Sequence, residues 1–125
     1  MSTLMYNKLN ANEPINIGDL ISLDPISSKV YRSKNKFNCL DKHVIGICNE
    51  IKDNEIYVQN TGVTDVNVKD IICIGDKITT SEIPGIAQAI KYTNQDQTTF
   101  GIRSIGKVIG LYNSYDKAKV LLDIE

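Results

Sequence analysis

The sequence predicts an all-β fold: a small β-barrel or sandwich built from two pseudo-repeated β units, with little or no helix. Three observations predict it. Ile and Val dominate the apolar set and come mostly in short runs, and β-branched side chains suit a pleated, half-buried surface better than a helix. Gly, Asn, Asp and Pro break those runs so often that a long helix has little room. An Ile-Gly-Asp segment also recurs once in each half of the chain.

Taken in order, residues 1–13 read as an N-terminal arm and 14–125 as a single β domain, with pseudo-repeats at about 15–60 and 72–125. Runs of alternating or β-branched residues between turn signals predict strands at Ile15–Leu23, Val44–Ile47, Ile56–Gln59, Val63–Val68 and Ile71–Ile74. The same pattern predicts Lys77–Thr80, Ile86–Ile90, Gly106–Leu111 and Lys119–Ile124. The stretch Ser114–Leu122 also fits a helical spacing through Tyr115, Ala118, Lys119 and Leu122. Val120-Leu121-Leu122 carries its apolar run onward, however, and favours a strand. Tyr92–Thr99 is polar, lacks either period, and reads as an exposed loop.

The repeat is defined by aligning the two Gly-Asp pairs. Ile15-Asn16-Ile17-Gly18-Asp19-Leu20-Ile21-Ser22 matches Ile72-Cys73-Ile74-Gly75-Asp76-Lys77-Ile78-Thr79, and Val44-Ile45-Gly46-Ile47 answers Ser104-Ile105-Gly106-Lys107 further on. Ile56-Tyr57-Val58 then answers Lys119-Val120-Leu121. Gly tolerates a positive φ and Asp can bond its own backbone. The structural turns are therefore placed at Gly18, Asp19, Gly46, Gly75, Asp76, Pro84, Gly85 and Gly106. Each unit has one face to bury, so two units related by a pseudo-twofold axis are expected to close over a common core.

Composition excludes several classes of function. Fourteen Lys and Arg against fifteen Asp and Glu leave a net charge of -1, so no global field draws in nucleic acid or anionic lipid. No run approaches the roughly 18 apolar residues of a membrane span, and no secretory leader pattern follows Met1. Cys39, Cys48 and Cys73 are irregularly spaced and form neither a disulfide framework nor a zinc knuckle. They read as small buried hydrophobes.

Candidate chemistry is sparse. The single histidine, His43, precedes an apolar strand and reads as a surface residue, not a general base. Thr79-Thr80-Ser81 could supply a nucleophile with Asp76 or Glu82 as a carboxylate partner. It reads better as a strand end entering the turn at Glu82-Ile83-Pro84-Gly85. Asp65, Asn67 and Asp70 lack the spacing of a calcium loop, and no phosphate-binding glycine motif occurs. No catalytic, cofactor or metal residues are assigned. Lys29, Arg32, Lys34 and Lys36, interleaved with Tyr31 and Phe37, form the one basic cluster. Such a pattern can grip an anionic ligand or single-stranded nucleic acid, yet lysines also protect strand edges. Nucleic acid is not favoured as a partner.

The segment Ile74-Gly75-Asp76-Lys77-Ile78-Thr79-Thr80-Ser81-Glu82-Ile83-Pro84-Gly85-Ile86-Ala87, followed by Ile105-Gly106-Lys107-Val108, resembles small β domains at the C-terminal ends of phage tail fibres and appendages. The resemblance spans roughly Val68 to Glu125. Ile15 to Gly46 is similar, more loosely, to the opening of phage head-decoration and head-fibre proteins. The resemblance implies a non-enzymatic virion protein made in the bacterial host cytoplasm, with no cofactor. Its partners would be copies of itself, as a homo-oligomer and by analogy a trimer, and a capsid, tail or fibre protein. Some relatives are intramolecular chaperones that cut themselves free of an upstream fibre. The chain opens on its own Met1, so self-cleavage is not expected here and stands as the alternative, beside an anionic-ligand module.

Overall fold

The computed structural model describes residues 3–7, 11, 13–36, 40–93 and 104–124. Among the described residues it is all-β, with ten strands and one 3-10 turn at Ile90–Tyr92 in place of any α-helix. The strands are β1 (Thr3–Asn7), β2 (Leu20–Leu23), β3 (Val30–Arg32), β4 (Val44–Lys52), β5 (Glu55–Gln59), β6 (Thr61–Asn67), β7 (Lys77–Thr80), β8 (Ala87–Ala89), β9 (Gly106–Leu111) and β10 (Lys117–Asp123). They form two antiparallel sheets, ordered β1-β5-β4-β2-β3 and β6-β10-β9-β7-β8. Adding five to each label of the first sheet gives the second, so the duplication extends to the whole topology.

The two copies agree residue by residue. Ile21 lies opposite Gly46 as Ile78 lies opposite Gly106. Leu23 pairs with Val30 as Thr80 pairs with Ala87. A bulge places the extra residue Asn49 on β4 at the point where Ile109 is extra on β9. A lone parallel bridge ties Ala11 to Val30 in the first copy and Val68 to Ala87 in the second. These bridges draw the ends of each curled sheet together without closing a continuous barrel.

Each copy has its own core. The first packs Ile15, Ile21, Val30, Cys48, Ile56 and Val58. All six have counterparts, Ile72, Ile78, Ala87, Val108, Ala118 and Val120, in the second cluster, and the strand register sets Ile56 against Ala118 and Val58 against Val120, one residue earlier than the expected match to Lys119 and Leu121. That second cluster also takes in Leu20, Val44 and Ile47 from the first copy. Strand β2 is therefore buried on both faces, with Ile21 in its own core and Leu20 in its neighbour's. Burying a Leu or Ile side chain contributes about 1.5–3 kcal/mol, so this crossing joins the copies firmly.

The expected pseudo-twofold closure over a common core is thus corrected. Under a twofold both copies would use the same surface, but Lys77, Ser104 and Lys107, the counterparts of Leu20, Val44 and Ile47, do not belong to either core. The lysines are exposed. The contact is head-to-tail.

Several element boundaries also differ from the sequence reading. Within the expected arm, Thr3–Asn7 form β1 and pair along β5, so the first copy starts earlier than residue 15. The second copy likewise starts at β6 and not at residue 72. Ile71–Ile74 is not a strand, because Asp70 has φ 62° and the chain then enters the Gly75 turn. The strand expected from Ile15 begins only at Leu20, after a turn at residues 16–19. Strand β3 was not expected. Tyr92 ends the 3-10 turn, and the remainder of the expected Tyr92–Thr99 loop lies almost wholly outside the described residues. Ser114–Leu122 is resolved in favour of the strand: Ala118, Val120 and Leu122 point inward while Lys119, Leu121 and Asp123 point out. No helix among the described residues is long and apolar enough to cross a membrane.

Candidate assembly interface

Beside the apolar contact of Leu20, Val44 and Ile47 with the second core, the polar part of the seam is built from the Gly-Asp turn of the first copy and Asn67 and the β7–β8 loop of the second. In the turn, Asp19 N–H donates to Asn16 O (3.2 Å), and the Asp19 carboxylate accepts Asn16 N–H (2.9 Å). Gly18 has φ 93°, a conformation that strains any residue with a Cβ. The second copy repeats the turn at Cys73–Asp76, with bonds of 3.0 Å and 2.9 Å and a Gly75 φ of 96°.

What lies against the two turns differs. Asn67 N–H donates to Gly18 O (2.9 Å), and its side-chain amide reaches Ile17 O (3.1 Å) and Asp19 Oδ1 (3.0 Å). A Cβ added at Gly18 would lie 2.6 Å from that amide, whereas one at Gly75 would meet nothing within 4 Å. Burial therefore pushes the Asp19 carboxyl above its ordinary value, despite the opposing bonds from Asn16 and Asn67. At Asp76 burial also acts upward, but the Cys73 N–H and the Lys91 ammonium, 2.9 Å away, hold the carboxyl below the ordinary value.

The β7–β8 loop makes the rest of the seam. Ile86 N–H donates to Ile83 O (3.2 Å), closing a tight turn with Pro84 and Gly85 at its centre and Gly85 at φ 77°. Pro pre-sets the first central φ and Gly accepts the positive second one. Gly85 then bridges β2 and the residue just past β3 in the first copy, accepting from Leu20 N–H and donating to Ser33 O, each at 2.9 Å. A Cβ there would lie 2.7 Å from the Asp19 carboxyl carbon, so no side chain fits. Asn35 N–H donates to Ser81 O (2.8 Å), and Thr80 Oγ1 accepts Asp41 N–H (3.2 Å) while donating to Asn35 Oδ1.

Of the eight residues expected at turns, Gly18, Asp19, Gly75, Asp76, Pro84 and Gly85 lie in turns, and three of them, Gly18, Asp19 and Gly85, meet at the seam. Gly46 and Gly106 lie instead within β4 and β9. Both occupy close strand contacts: an added Cβ would approach Gln59 O at 2.4 Å and Leu121 O at 2.7 Å. Sequence reasoning missed the seam roles of Asn67, Ser33 and Asn35, which act through hydrogen bonds to residues far away in sequence that no motif announces.

One row across each sheet shows how differently the copies are covered. Leu20, Ile47, Gln59 and Thr3 stand in register across β2, β4, β5 and β1. Their counterparts across β7, β9, β10 and β6 are Lys77, Lys107, Leu121 and Val63. Leu20 and Ile47 are 0% exposed and Gln59 2%, whereas Leu121 and Val63 are each 46% exposed. Two lysines face each other directly on this open face, an arrangement that like charges disfavour.

The hydroxyl cluster is engaged structurally. Thr79, Thr80 and Ser81 are buried, and Ser81 Oγ donates to Ile86 O (2.6 Å) and accepts Ile83 N–H (3.2 Å). Burial, then the charge of Asp19, pushes the Cys48 thiol up to about 11. Cys73 is exposed, contrary to the expectation of a buried hydrophobe, and Cys39 lies outside the described residues. Among the described residues no group of His, Cys, Asp and Glu is placed to hold a metal ion.

Three members of the basic cluster, Arg32, Lys34 and Lys36, line a cleft of about 540 Å3 with Tyr31, His43 and Pro84, while Lys29 is not on its walls and Phe37 lies outside the described residues. Glu13 pairs with Arg32 at 3.1 Å, and Asp24 also lines the cleft, so its charge is mixed. Burial and nearby Asp41 push the Tyr31 hydroxyl up to about 12. No protein-family model matches the chain, and no curated protein matches it in sequence.

Proposed function

We propose that this chain is a non-enzymatic structural or accessory protein of a bacteriophage particle. It acts by associating with itself and docking on a capsid, tail or fibre protein, as a capsid-decoration, head-fibre or tail-fibre component located in the virion. The observation that carries this reading is the place of the fibre-like motif. Thr80, Ser81 and Gly85, within the stretch that resembles fibre-end domains, are among the residues that join one β unit to the next. Their polar groups hold backbone in register, which suits a part that works by packing.

Mass spectrometry of purified particles from the source tests the reading. The chain is expected in many copies at a fixed ratio to the major structural proteins, and its absence from intact particles overturns the proposal. Intact mass after long incubation addresses the alternative: an unclipped chain agrees with a static role, and a discrete internal cut would establish self-processing.

A further inference from the structure

The first copy carries a set of side chains that the second shows to be unnecessary for the fold. Val30 pairs with Leu23 as Ala87 pairs with Thr80, so Tyr31 and Arg32 correspond to Gln88 and Ala89, and Lys34 to Lys91. Gln88 and Ala89 are buried, and the same strand pair forms there without an aromatic ring or a guanidinium. Lys91 is held by Asp76 at 2.9 Å. The counterpart of Asp76 is Asp19, which is buried at the seam against Asn67, so Lys34 is left without that partner. Lys34 and Lys36 are exposed, and neither forms an ion pair among the described residues.

These side chains surround a cleft of two adjoining parts. The larger, of about 540 Å3, and the smaller, of about 330 Å3, share Tyr31, Lys34, Lys36 and His43 as walls. The acidic neighbours are engaged by the protein itself. Glu13 accepts from Arg32 N–H (2.7 Å) and from Arg32 Nη2 (3.1 Å). Asp41 accepts from His43 N–H (2.9 Å), Lys34 N–H (3.2 Å) and the Tyr31 hydroxyl (3.3 Å). Asp24 takes Ile26 N–H on Oδ1 (2.9 Å), which leaves Oδ2 to accept from a hydroxyl. The carboxylates therefore order the walls while the two lysine ammonium groups stay free to pair with something else.

The lining selects the chemistry of a ligand. Among the described residues, four cationic and three acidic side chains line the two parts together, a surplus of one positive charge. That balance suits one anionic group; a nucleic-acid strand would bring a charge with every phosphate, and these carboxylates would repel it. Tyr31, Ile26 and Pro84 offer apolar contact to the C–H face of a ring, while Asp24 offers an acceptor for its hydroxyls. Apolar walls with a few placed polar groups are the usual form of a small-molecule site.

From this we infer that the cleft walled by Tyr31, Lys34, Lys36 and His43 binds an acidic saccharide, its carboxylate held by the Lys34 and Lys36 ammonium groups and its ring against Tyr31. Charge-assisted hydrogen bonds from two ammonium groups supply the discrimination for the acid. The hydroxyl and ring contacts supply the discrimination for a sugar. The inference needs neither a place in a virion nor self-association, so it stands or falls apart from the proposed function.

Amide chemical shifts of the full, isotope-labelled chain test it with matched probes. Methyl glucuronoside is expected to shift the amides of Tyr31, Lys34 and His43 saturably. Methyl glucoside, which lacks only the carboxylate, should bind at least about tenfold more weakly, the loss that charge-assisted bonds imply. Lys34→Glu combined with Lys36→Glu should cost at least as much, whereas Lys52→Glu, at an exposed lysine that does not line the cleft, should leave the affinity unchanged. Circular dichroism melts check folding, and the milder Lys36→Gln, expected to weaken binding several-fold, decides the matter should the double variant not fold. Acetate binding as tightly as the glucuronoside would overturn the saccharide assignment, and so would tighter binding of single-stranded oligothymidine at the same amides. No saturable shift with the glucuronoside, or equal affinity in the lysine variants, would overturn the site itself.

Discussion

Leu20 and Lys77 hold the same place in the same strand of two copies of one fold, each one residue past a Gly-Asp turn. Leu20 is enclosed by the second copy, while Lys77 stands on an open face. The same contrast separates Ile47 from Lys107 and Gln59 from Leu121. The main backbone features nonetheless recur in both: the Gly-Asp turn, the bulge, the parallel bridge and the close-approach glycine. What persists are the features that backbone geometry demands, and what has diverged is the side-chain surface that decides who covers whom. A duplicated unit can thus join its copy head-to-tail through one altered face without changing its fold.

Exchanging residues across that comparison gives the largest expected effect. Leu20→Lys would carry an ammonium into the apolar seam and should cost about 4 kcal/mol or more. The reciprocal Lys77→Leu changes an exposed position on the open face and should stay within about 0.5 kcal/mol. Urea unfolding of both variants measures the difference. Equal small effects would show that the seam does not enclose Leu20.

The two turn glycines give the next effect. Gly75→Ala meets open space, so only the left-handed conformation costs, about 1–2 kcal/mol. Gly18→Ala carries the same conformational cost and also displaces the Asn67 amide from Ile17 O and Asp19, adding about 1 kcal/mol or more. Denaturant midpoints for the two single variants and for each combined with Asn67→Ala sharpen the comparison. The extra cost at Gly18 should shrink once Asn67 is truncated, and the cost at Gly75 should not.

The parts of this fold that could be read from sequence are those that backbone chemistry imposes. Ile-Gly-Asp announced both turns because few residues tolerate φ near 95°, and the β-branched runs announced most strands. Strands β1 and β3 gave no such signal. Val30–Arg32 is three residues long, and Thr3–Asn7 is mixed in polarity, so each is specified by the register of its partner. The seam itself was hidden for a different reason. Aligning the copies already set Leu20 against Lys77 and Ile47 against Lys107, but without coordinates these looked like neutral divergence. Read as a pair of apolar-to-lysine changes on one sheet row, they would have revealed that the copies are not covered alike.

The paired carboxylates carry the smallest and most discriminating expectation. Asp76 is held below its ordinary value, so the stability it contributes is present above the unfolded carboxyl value of 3.8 and is lost as pH falls through the lower folded value. Asp19 is raised above 3.8, chiefly by burial, so the folded protein takes up its proton before the unfolded chain does. Acidification through that window therefore relieves a penalty at Asp19 and removes a benefit at Asp76. Stability followed against pH for wild type, Asp19→Asn and Asp76→Asn should show opposite changes in slope for the two variants. Slopes that change alike would mean that the Asp19 turn is as open to water as its copy, and with it the seam.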